Sequence, residues 1–311
     1  MASLPSPRVT QNPSFLHTGI DYSCAHKVKI HQLRNAKIVQ AYLCIFVCLT
    51  TRATHIEVAL NLSTPAFLSV LHRFVARRGR PIKIYSDCGT NFVGASNEFK
   101  KLVDEKPPEI QEFALKHNFE FVFNPPAAPH MGGIWERAVR SVKEHLKRVL
   151  GDTVLNIDEF STLCCRIEAM LNSRPLTPLS SDPSDLAPLT PGHFLIGRPL
   201  VALPERDFDD SLNPPRRWHL VSAMFQHIWR RWHLEYLQTL QPRKKWLQTV
   251  KPLQIDQLVL IHDPASPPLS WKLGRITKTH PGADSQVRKV ELKTQTGTLE
   301  RPVHKLYPLP Y

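Results

Sequence analysis

Residues 39–49 read Val-Gln-Ala-Tyr-Leu-Cys-Ile-Phe-Val-Cys-Leu, apolar at nearly every position and uncharged throughout. Strict alternation would mark a strand with one wet face, whereas a run apolar on both faces belongs inside a sheet covered on both sides. The longest apolar run, Ala41 to Leu49, has nine residues, about half of what a membrane-spanning helix needs. The stretch therefore reads as an interior strand, spanning Lys37–Leu49.

Working outward, Phe15–Tyr22 and Ala53–Ala59 read as flanking strands. Ser63-Thr64-Pro65 then opens a helix with a capping hydroxyl and a proline in its first turn. Phe67, Leu68, Leu71, Phe74 and Val75 keep helical spacing until Gly79 ends it. A strand at Ile82–Ser86, a helix near Pro108–His117 and a strand at Phe119–Phe123 follow. Asn124–Gly133 (NPPAAPHMGG) is expected to be neither helix nor strand, because prolines and a glycine pair punctuate it. Helices are expected at Ile134–Leu150 and Ile157–Asn172. Strands followed by strand–helix alternation describe a mixed α/β layer fold.

The rest of the chain changes character. Residues 1–14 are Pro/Ser-rich and read as a leader without a signal-peptide core. Nine prolines crowd residues 175–215, as in a boundary or an extended linker. Residues 216–251 hold eight Lys/Arg against one acid, Glu235, with Trp218, Trp229, Trp232 and Trp246 interleaved. Val221, Phe225, Ile228 and Trp232 are helically spaced, so helix packing is the leading role for those aromatics and base stacking the alternative. Residues 255–309 read as four or five short strands, enough for a small barrel.

Forty Lys/Arg against 27 Asp/Glu leave a net charge of +13, which favours a polyanionic partner, most often nucleic acid. Six cysteines without a CxxC pair argue against a zinc ribbon or a disulfide framework and for a reducing intracellular compartment. Cys164-Cys165 read as core residues. Against this basic background three acids stand where the fold could gather them. Asp21 is near the end of the first strand, Asp87 directly follows a strand, and Glu136 is read in the first turn of its helix. Oxygen ligands at such positions suit Mg²⁺ or Mn²⁺, and two such ions can promote phosphoryl transfer. Glu136, Arg140, Lys143 and Lys147 recur along one exposed helical stripe, placing a carboxylate beside cations that could grip a phosphate backbone. Taken singly, each acid is more often a solvated or capping residue than a ligand, and the stripe reads equally well as a solvated face.

Longer phrases carry more. HTGIDY (17–22), IYSDCGTNFVGA (84–95) and PPAAPHMGGIWERAVRSVKEHLKRVLG (125–151) resemble the retroviral-type integrase core. The likeness is closer to integrases of BEL/Pao-type LTR retrotransposons, through LSTPAFLSVLHRFVARRGRP (62–81), MLNSRPLTPL (170–179), LTPGHFLIGRPL (189–200), WKLGRITKTHPG (271–282) and RPVHKLYPLP (301–310). The resemblance implies an α/β fold: a ribonuclease-H-like core, with a mixed five-stranded sheet and flanking helices, over residues 15–185. A Pro-rich linker with a basic helical segment (186–250) and a small SH3-like β-barrel (251–311) would follow.

It implies further that Asp21, Asp87 and Glu136 are catalytic and hold two Mg²⁺ or Mn²⁺ ions. Asn91, Arg140, Lys143, Lys147, Arg230, Arg231, Arg243, Lys244 and Lys245 would contact DNA, and Gly132-Gly133 would serve as the hinge of a loop beside the site. The partners would be double-stranded DNA, as element ends and target, and further copies of the chain, with no membrane and with a nuclear location. Relatives usually carry a zinc-binding module ahead of the core, which has no counterpart here, and Cys88 stands where Asn or Ser is usual. The expected activity is 3′-end processing and strand transfer. A DNA-binding remnant and a ribonuclease-H-type nuclease are the alternatives.

Overall fold

The computed structural model describes residues 6–33, 35–104, 119–124, 129–208, 217–241, 253–282 and 287–310. They fall into two compact units, one of Met1–Leu171 with Pro214–Met224, the other of Asn172–Asn213 with Phe225–Tyr311.

The first unit is built on the strand expected to be central. Strand β3 (Ile38–Cys48) pairs antiparallel with β1 (His17–Tyr22) on one edge and β4 (Thr54–Ala59) on the other. β5 (Lys83–Ser86) lies parallel to β1, and β6 (Glu120–Phe123) parallel to β5. The order β4-β3-β1-β5-β6 is the mixed five-stranded sheet implied for a ribonuclease-H-like core. Short strands β2 (His26–Lys29) and β7 (Leu155–Asn156) extend it beside the start of β3. All of Leu43–Cys48 is buried, as the double-sided apolar run demands.

Helix α1 (Thr64–Arg78) has the expected ends. The Ser63 hydroxyl accepts from the Ala66 amide, and Gly79 closes the helix at φ 85° with its N–H on the Val75 carbonyl. The helix buries Phe67, Val70, Leu71 and Phe74 against the sheet, and the Phe74 ring stacks on Phe46 at 4.1 Å between centroids. Fully burying a side chain of this size contributes about 1.5–3 kcal/mol.

Helix α2 (Thr90–Asp104) was not anticipated, and α3 (Pro129–Leu150) begins five residues before its expected start at Ile134. Pro129 occupies the first helical position, where the missing amide proton costs nothing, and Gly132-Gly133 sit within the helix rather than in a loop. The glycine pair is thus not a loop hinge here, and Glu136 lies about two turns into the helix rather than in its first turn. In α4 (Ile157–Ser173) the Asn156 side chain accepts from the Glu159 amide at 2.9 Å, and Glu159 accepts from the Asn156 amide at 2.8 Å. This is a reciprocal capping box. Cys164 is buried, but its neighbour Cys165 is exposed, against expectation. Adjacent helical positions point about 100° apart, so both rarely share the core face.

In the second unit the prolines that suggested a linker accompany defined elements: β8 (Thr177–Pro178) paired with β9 (Pro188–Leu189), and α5 (Pro191–Ile196). The almost fully buried Arg275 ties this stretch down by donating to the carbonyls of Asp182, Asp185 and Asp256. Helix α6 (Arg217–Leu240) begins in the first unit and ends in the second. Five antiparallel strands follow: β10 (Leu258–Ile261), β11 (Leu273–Pro281), β12 (Val287–Thr294), β13 (Gly297–Pro302) and β14 (Leu306–Pro308), in the order β13-β12-β11-β10-β14.

Every residue of β10 is buried. Val259 and Ile261 pack with Ile276, Val290, Leu292 and Leu306 on one face, while Leu258 and Leu260 pack with Leu237 of α6 on the other. Trp229, Trp232 and Tyr236 of α6 surround Trp271 at 5.1–5.9 Å. The tryptophans of this stretch at 229 and 232 are therefore buried packing groups, whereas Trp218 is exposed. Among the described residues, no helix is long and apolar enough to cross a membrane.

Candidate active site

The parallel pairing of β1 with β5 sets the site. Gly19 is the register partner of Tyr85. Asp21 and Asp87 each lie two residues further along strands running the same way, so the chain delivers both carboxyl groups to the same end of the sheet. The carboxyl ends of adjacent parallel strands are the usual location of ligand sites in α/β layers.

The third acid arrives on α3, which packs on β1 and β3. Its anchor is Trp135. A Cβ added to Gly19 would fall 2.2 Å from Trp135 Cε3, so the indole lies directly on the glycine backbone. The same indole stacks on Tyr85, with centroids 6.4 Å apart. Trp135 thus spans β1 and β5 two residues short of both aspartates, and the adjacent Glu136 is near enough to act on Asp21. Neither Gly19 nor Trp135 was among the expected site residues. A glycine inside a strand pattern, marking close approach of another group, was the available signal.

Asp87 and Glu136 both act on Asp21, although the three acids are not among the described groups whose ligand atoms all lie within 4.8 Å of one another. The Asp21 carboxyl is pushed up to about 6, chiefly by burial and further by the negative charges of Asp87 and Glu136. The Tyr22 amide, donating to Asp21 Oδ1 at 2.7 Å, and the Lys143 ammonium pull the other way without prevailing. Asp87 is exposed and accepts from the Gly89 amide at 3.1 Å. A Cβ at Gly89 would sit 2.9 Å from Asn91 Oδ1 and 3.1 Å from Asp87 Oδ1, so any larger residue there would displace one of these side chains. Cys88 is exposed, with its thiol 3.4 Å from the Asn124 carbonyl oxygen.

Along α3, Trp135, Val139, Val142, Leu146, Val149 and Leu150 are buried. Arg140, Lys143 and Lys147 are exposed, and Glu136 is half-buried at the head of their stripe. Lys143 also acts on the buried His26, which burial and this cation hold below the ordinary imidazole range.

The remaining expected DNA contacts divide. Asn91 is buried in the first turn of α2, its side-chain oxygen accepting from the Phe92 amide at 3.0 Å, so it shapes the loop after Asp87. Arg230 is held within the second unit by Asp207 at 2.8 Å and by the Phe208 carbonyl at 2.7 Å. Arg231 is exposed on α6. Arg243, Lys244 and Lys245 lie outside the described residues.

A model described as a family of unknown function (DUF5641) matches residues 216–309. No curated protein matches the chain. Among solved structures, the chain is similar to one in the simian T-cell lymphotropic virus intasome in complex with PP2A regulatory subunit B56 gamma. That match has 14% identity and a TM-score of 0.39, covering 100% of this chain and 84% of that one. The HTLV-2 integrase catalytic core domain in complex with magnesium matches in its dimeric form with 16% identity and a TM-score of 0.33, over 51% of this chain and 88% of that one. Its trimeric form matches with 16% identity and a TM-score of 0.34, over 55% and 93%.

Proposed function

We propose that this chain is a metal-dependent polynucleotidyl transferase of the BEL/Pao-type integrase class, acting on double-stranded DNA in the nucleus as a homo-oligomer. One observation supports the reading: the parallel register of β1 and β5 puts Asp21 and Asp87 at the same end of the sheet, and Glu136, 115 positions after Asp21, is near enough to act on Asp21. The residue set fits a pair of Mg²⁺ or Mn²⁺ ions. It offers only hard oxygen donors, and Asp21, raised chiefly by burial and further by Asp87 and Glu136, is a carboxyl whose charged form a nearby dication would favour. Asp21, Asp87 and Glu136 would hold the ions, which when bound activate an attacking oxygen and stabilise a leaving one.

The chain's own groups do the rest. Arg140, Lys143 and Lys147 present three cations on one exposed stripe beside the acids, spaced to contact successive phosphates of a bound strand. Lys143 faces Asp21 and offsets part of its charge. Trp135, locked over Gly19 and Tyr85, keeps the glutamate in place. In the second unit, five antiparallel strands with a 3-10 turn (Val303–Lys305) before the last support reading residues 251–311 as a small SH3-like barrel. The exposed Arg231 adds a cation on α6 for a second DNA contact.

The test is end trimming and strand joining on labelled duplex oligonucleotides with Mg²⁺ or Mn²⁺. Wild-type protein should join strands and Glu136→Gln should not. Salt-sensitive DNA binding without metal-dependent chemistry would instead identify a DNA-binding remnant, and cleavage confined to RNA–DNA hybrids a ribonuclease-H-type nuclease.

A further inference from the structure

We propose that His280, Glu291 and Glu300 form a zinc-type metal site on the C-terminal sheet. Each offers one ligand atom, and these atoms all lie within 4.8 Å of one another. They come from three neighbouring strands, β11, β12 and β13, rather than from a loop.

The register explains how they meet. Glu291 is the direct antiparallel partner of Glu300. Like charges directly opposite in an antiparallel pair are destabilising; here the two carboxylates share one face with Lys278, the register partner of Glu291, and Lys289, the register partner of His280, which offset part of that charge. His280 joins them from β11, beside irregularities in the β11–β12 register between Ile276 and Lys278 and between His280 and Pro281. Bulges of this kind re-aim side chains and recur near functional sites.

A second observation concerns the imidazole itself. His280 Nε2 is shielded from solvent and has no hydrogen-bond partner. The oxygen facing it, Glu300 Oε1, is 3.7 Å away, too far for a hydrogen bond. A polar nitrogen removed from water without a partner is costly, and a cation between Nε2 and Oε1 satisfies both atoms. The other Glu300 oxygen, Oε2, is already paired with Lys289, which leaves Oε1 for the metal and orients the carboxylate. A coordinated carboxylate fixed by an outer hydrogen bond is the usual pattern around metal ions.

The donor set selects the ion. One imidazole nitrogen with two carboxylate oxygens suits Zn²⁺ with a fourth, open position, whereas Mg²⁺ prefers oxygen alone. Zn–N and Zn–O bonds of about 2.0–2.2 Å bring ligand atoms to roughly 3–3.5 Å apart, a contraction that rotation about the long glutamate side chains supplies. The site differs chemically from the acids of the first unit, which include no nitrogen donor. A bound ion would clasp three consecutive strands, including the edge strand β13.

The experiment uses the full chain, ZnCl₂ and a chromophoric zinc chelator as competitor, with Co²⁺ as a spectroscopic substitute. Wild-type protein is expected to bind one more Zn²⁺ per chain than His280→Ala. It should also give the visible absorption of low-coordinate Co²⁺, lost in His280→Ala and weakened at least tenfold in affinity in Glu300→Gln. Asp87→Asn should keep both signals, which separates this site from the acids of the first unit. His280 and Glu300 are partly exposed, and circular dichroism checks that each variant is folded. Equal zinc stoichiometry and affinity in wild type and His280→Ala, or no zinc bound by wild type at tens of micromolar, would overturn the proposal.

Discussion

Two clusters of acids in the first unit are treated in opposite ways. Glu57 and Glu168 flank the fully buried His55 at 3.0 and 3.2 Å. Arg73 and Arg77 bind Glu57 at 2.7 and 2.8 Å, and Arg78 binds Glu168. Although burial works against both, hydrogen bonds from His55 and the surrounding cations hold these two carboxyls below the usual range. At Asp21 the balance reverses: burial, with the charges of Asp87 and Glu136, outweighs the Tyr22 amide hydrogen bond and Lys143, and the group rises to about 6. One cluster is neutralised by the protein itself and serves the fold. The other is left less compensated by the protein's own cations, and in the function proposed above that is where a divalent ion would bind.

Breaking the first cluster should have the largest effect. Glu168→Gln leaves His55 and Arg78 without their charged partner and leaves the Ile56 amide with a poorer acceptor. Removing one member of a buried ion pair costs about 3–5 kcal/mol, to be read from urea unfolding midpoints, while metal-dependent activity per folded molecule should hold. The same network sets a pH window. The two glutamates, lowered in the fold, contribute stability that is present above the ordinary carboxylate range and lost as pH falls through their depressed values. For His55, burial opposes the charge, but hydrogen bonds to Glu168 and Glu57 prevail and raise it above 6.5. Its contribution is full below 6.5 and disappears as pH rises through the raised value. Stability should therefore be greatest between those limits, and His55→Phe should flatten the alkaline side. An unchanged alkaline limb in that variant would remove His55 from the account.

The second cluster should respond in the opposite sense. Glu136→Gln is expected to lower strand joining by about 10²–10³-fold, the scale of losing one preorganised charge contact in a transition state. The metal-free protein should lose little stability and could gain some, because one of three repelling charges is gone. Mg²⁺ should raise the melting temperature of wild type more than that of Glu136→Gln, as binding to the folded state alone requires. Equal shifts in both proteins would disconnect the carboxylates from metal.

How much of this was legible in the sequence depends on what each residue had to reveal. The interior strand announced itself because both faces of β3 are covered, and α1 because its cap and its apolar spacing agree. Strand β2 did not: it has four residues, two of them lysines, and no turn signal. Helix α2 was hidden by Gly94, which breaks a helical pattern on paper. In the fold Gly94 is needed because a Cβ there would lie 2.2 Å from Thr64 Oγ1, where α2 crosses the start of α1. The start of α3 was misread for a similar reason, since proline and two glycines look like a loop until Pro129 is seen to occupy the first helical position. The three acids were legible as a set only through long matching phrases. Their mutual influence, and the role of Trp135, depend on which strands lie parallel, which spacing along the chain does not encode.

Gly19 offers a way to sharpen the comparison without touching a charge. Gly19→Ala puts a methyl group 2.2 Å from the Trp135 ring, and overpacking of this kind costs about 1–3 kcal/mol. The indole must then move, and Glu136 with it. Activity should fall by more than stability alone explains, whereas the His55 network, on β4, α1 and α4, should keep its pH window. Trp135→Phe in the Gly19→Ala background gives the space back, and partial recovery of activity would confirm that the contact positions the glutamate.

The smallest effect concerns the cations. Lys143 and Arg230 were both expected to touch DNA, but their surroundings differ. Lys143 is exposed beside Asp21, while Arg230 is engaged by Asp207 and the Phe208 carbonyl. A phosphate contact reveals itself in salt dependence, because each neutralised phosphate releases counterions, and losing one lowers the slope of log K against log salt by about 1. Lys143→Ala should produce that change with little loss of stability. Arg230→Ala should leave the slope where it was and lower the melting temperature instead, since its hydrogen bonds already fasten residues 207–208 to α6. A reversal of the two outcomes would mean that exposure beside the acids does not identify the DNA-facing surface, and that the basic stripe of α3 is simply a solvated helix face.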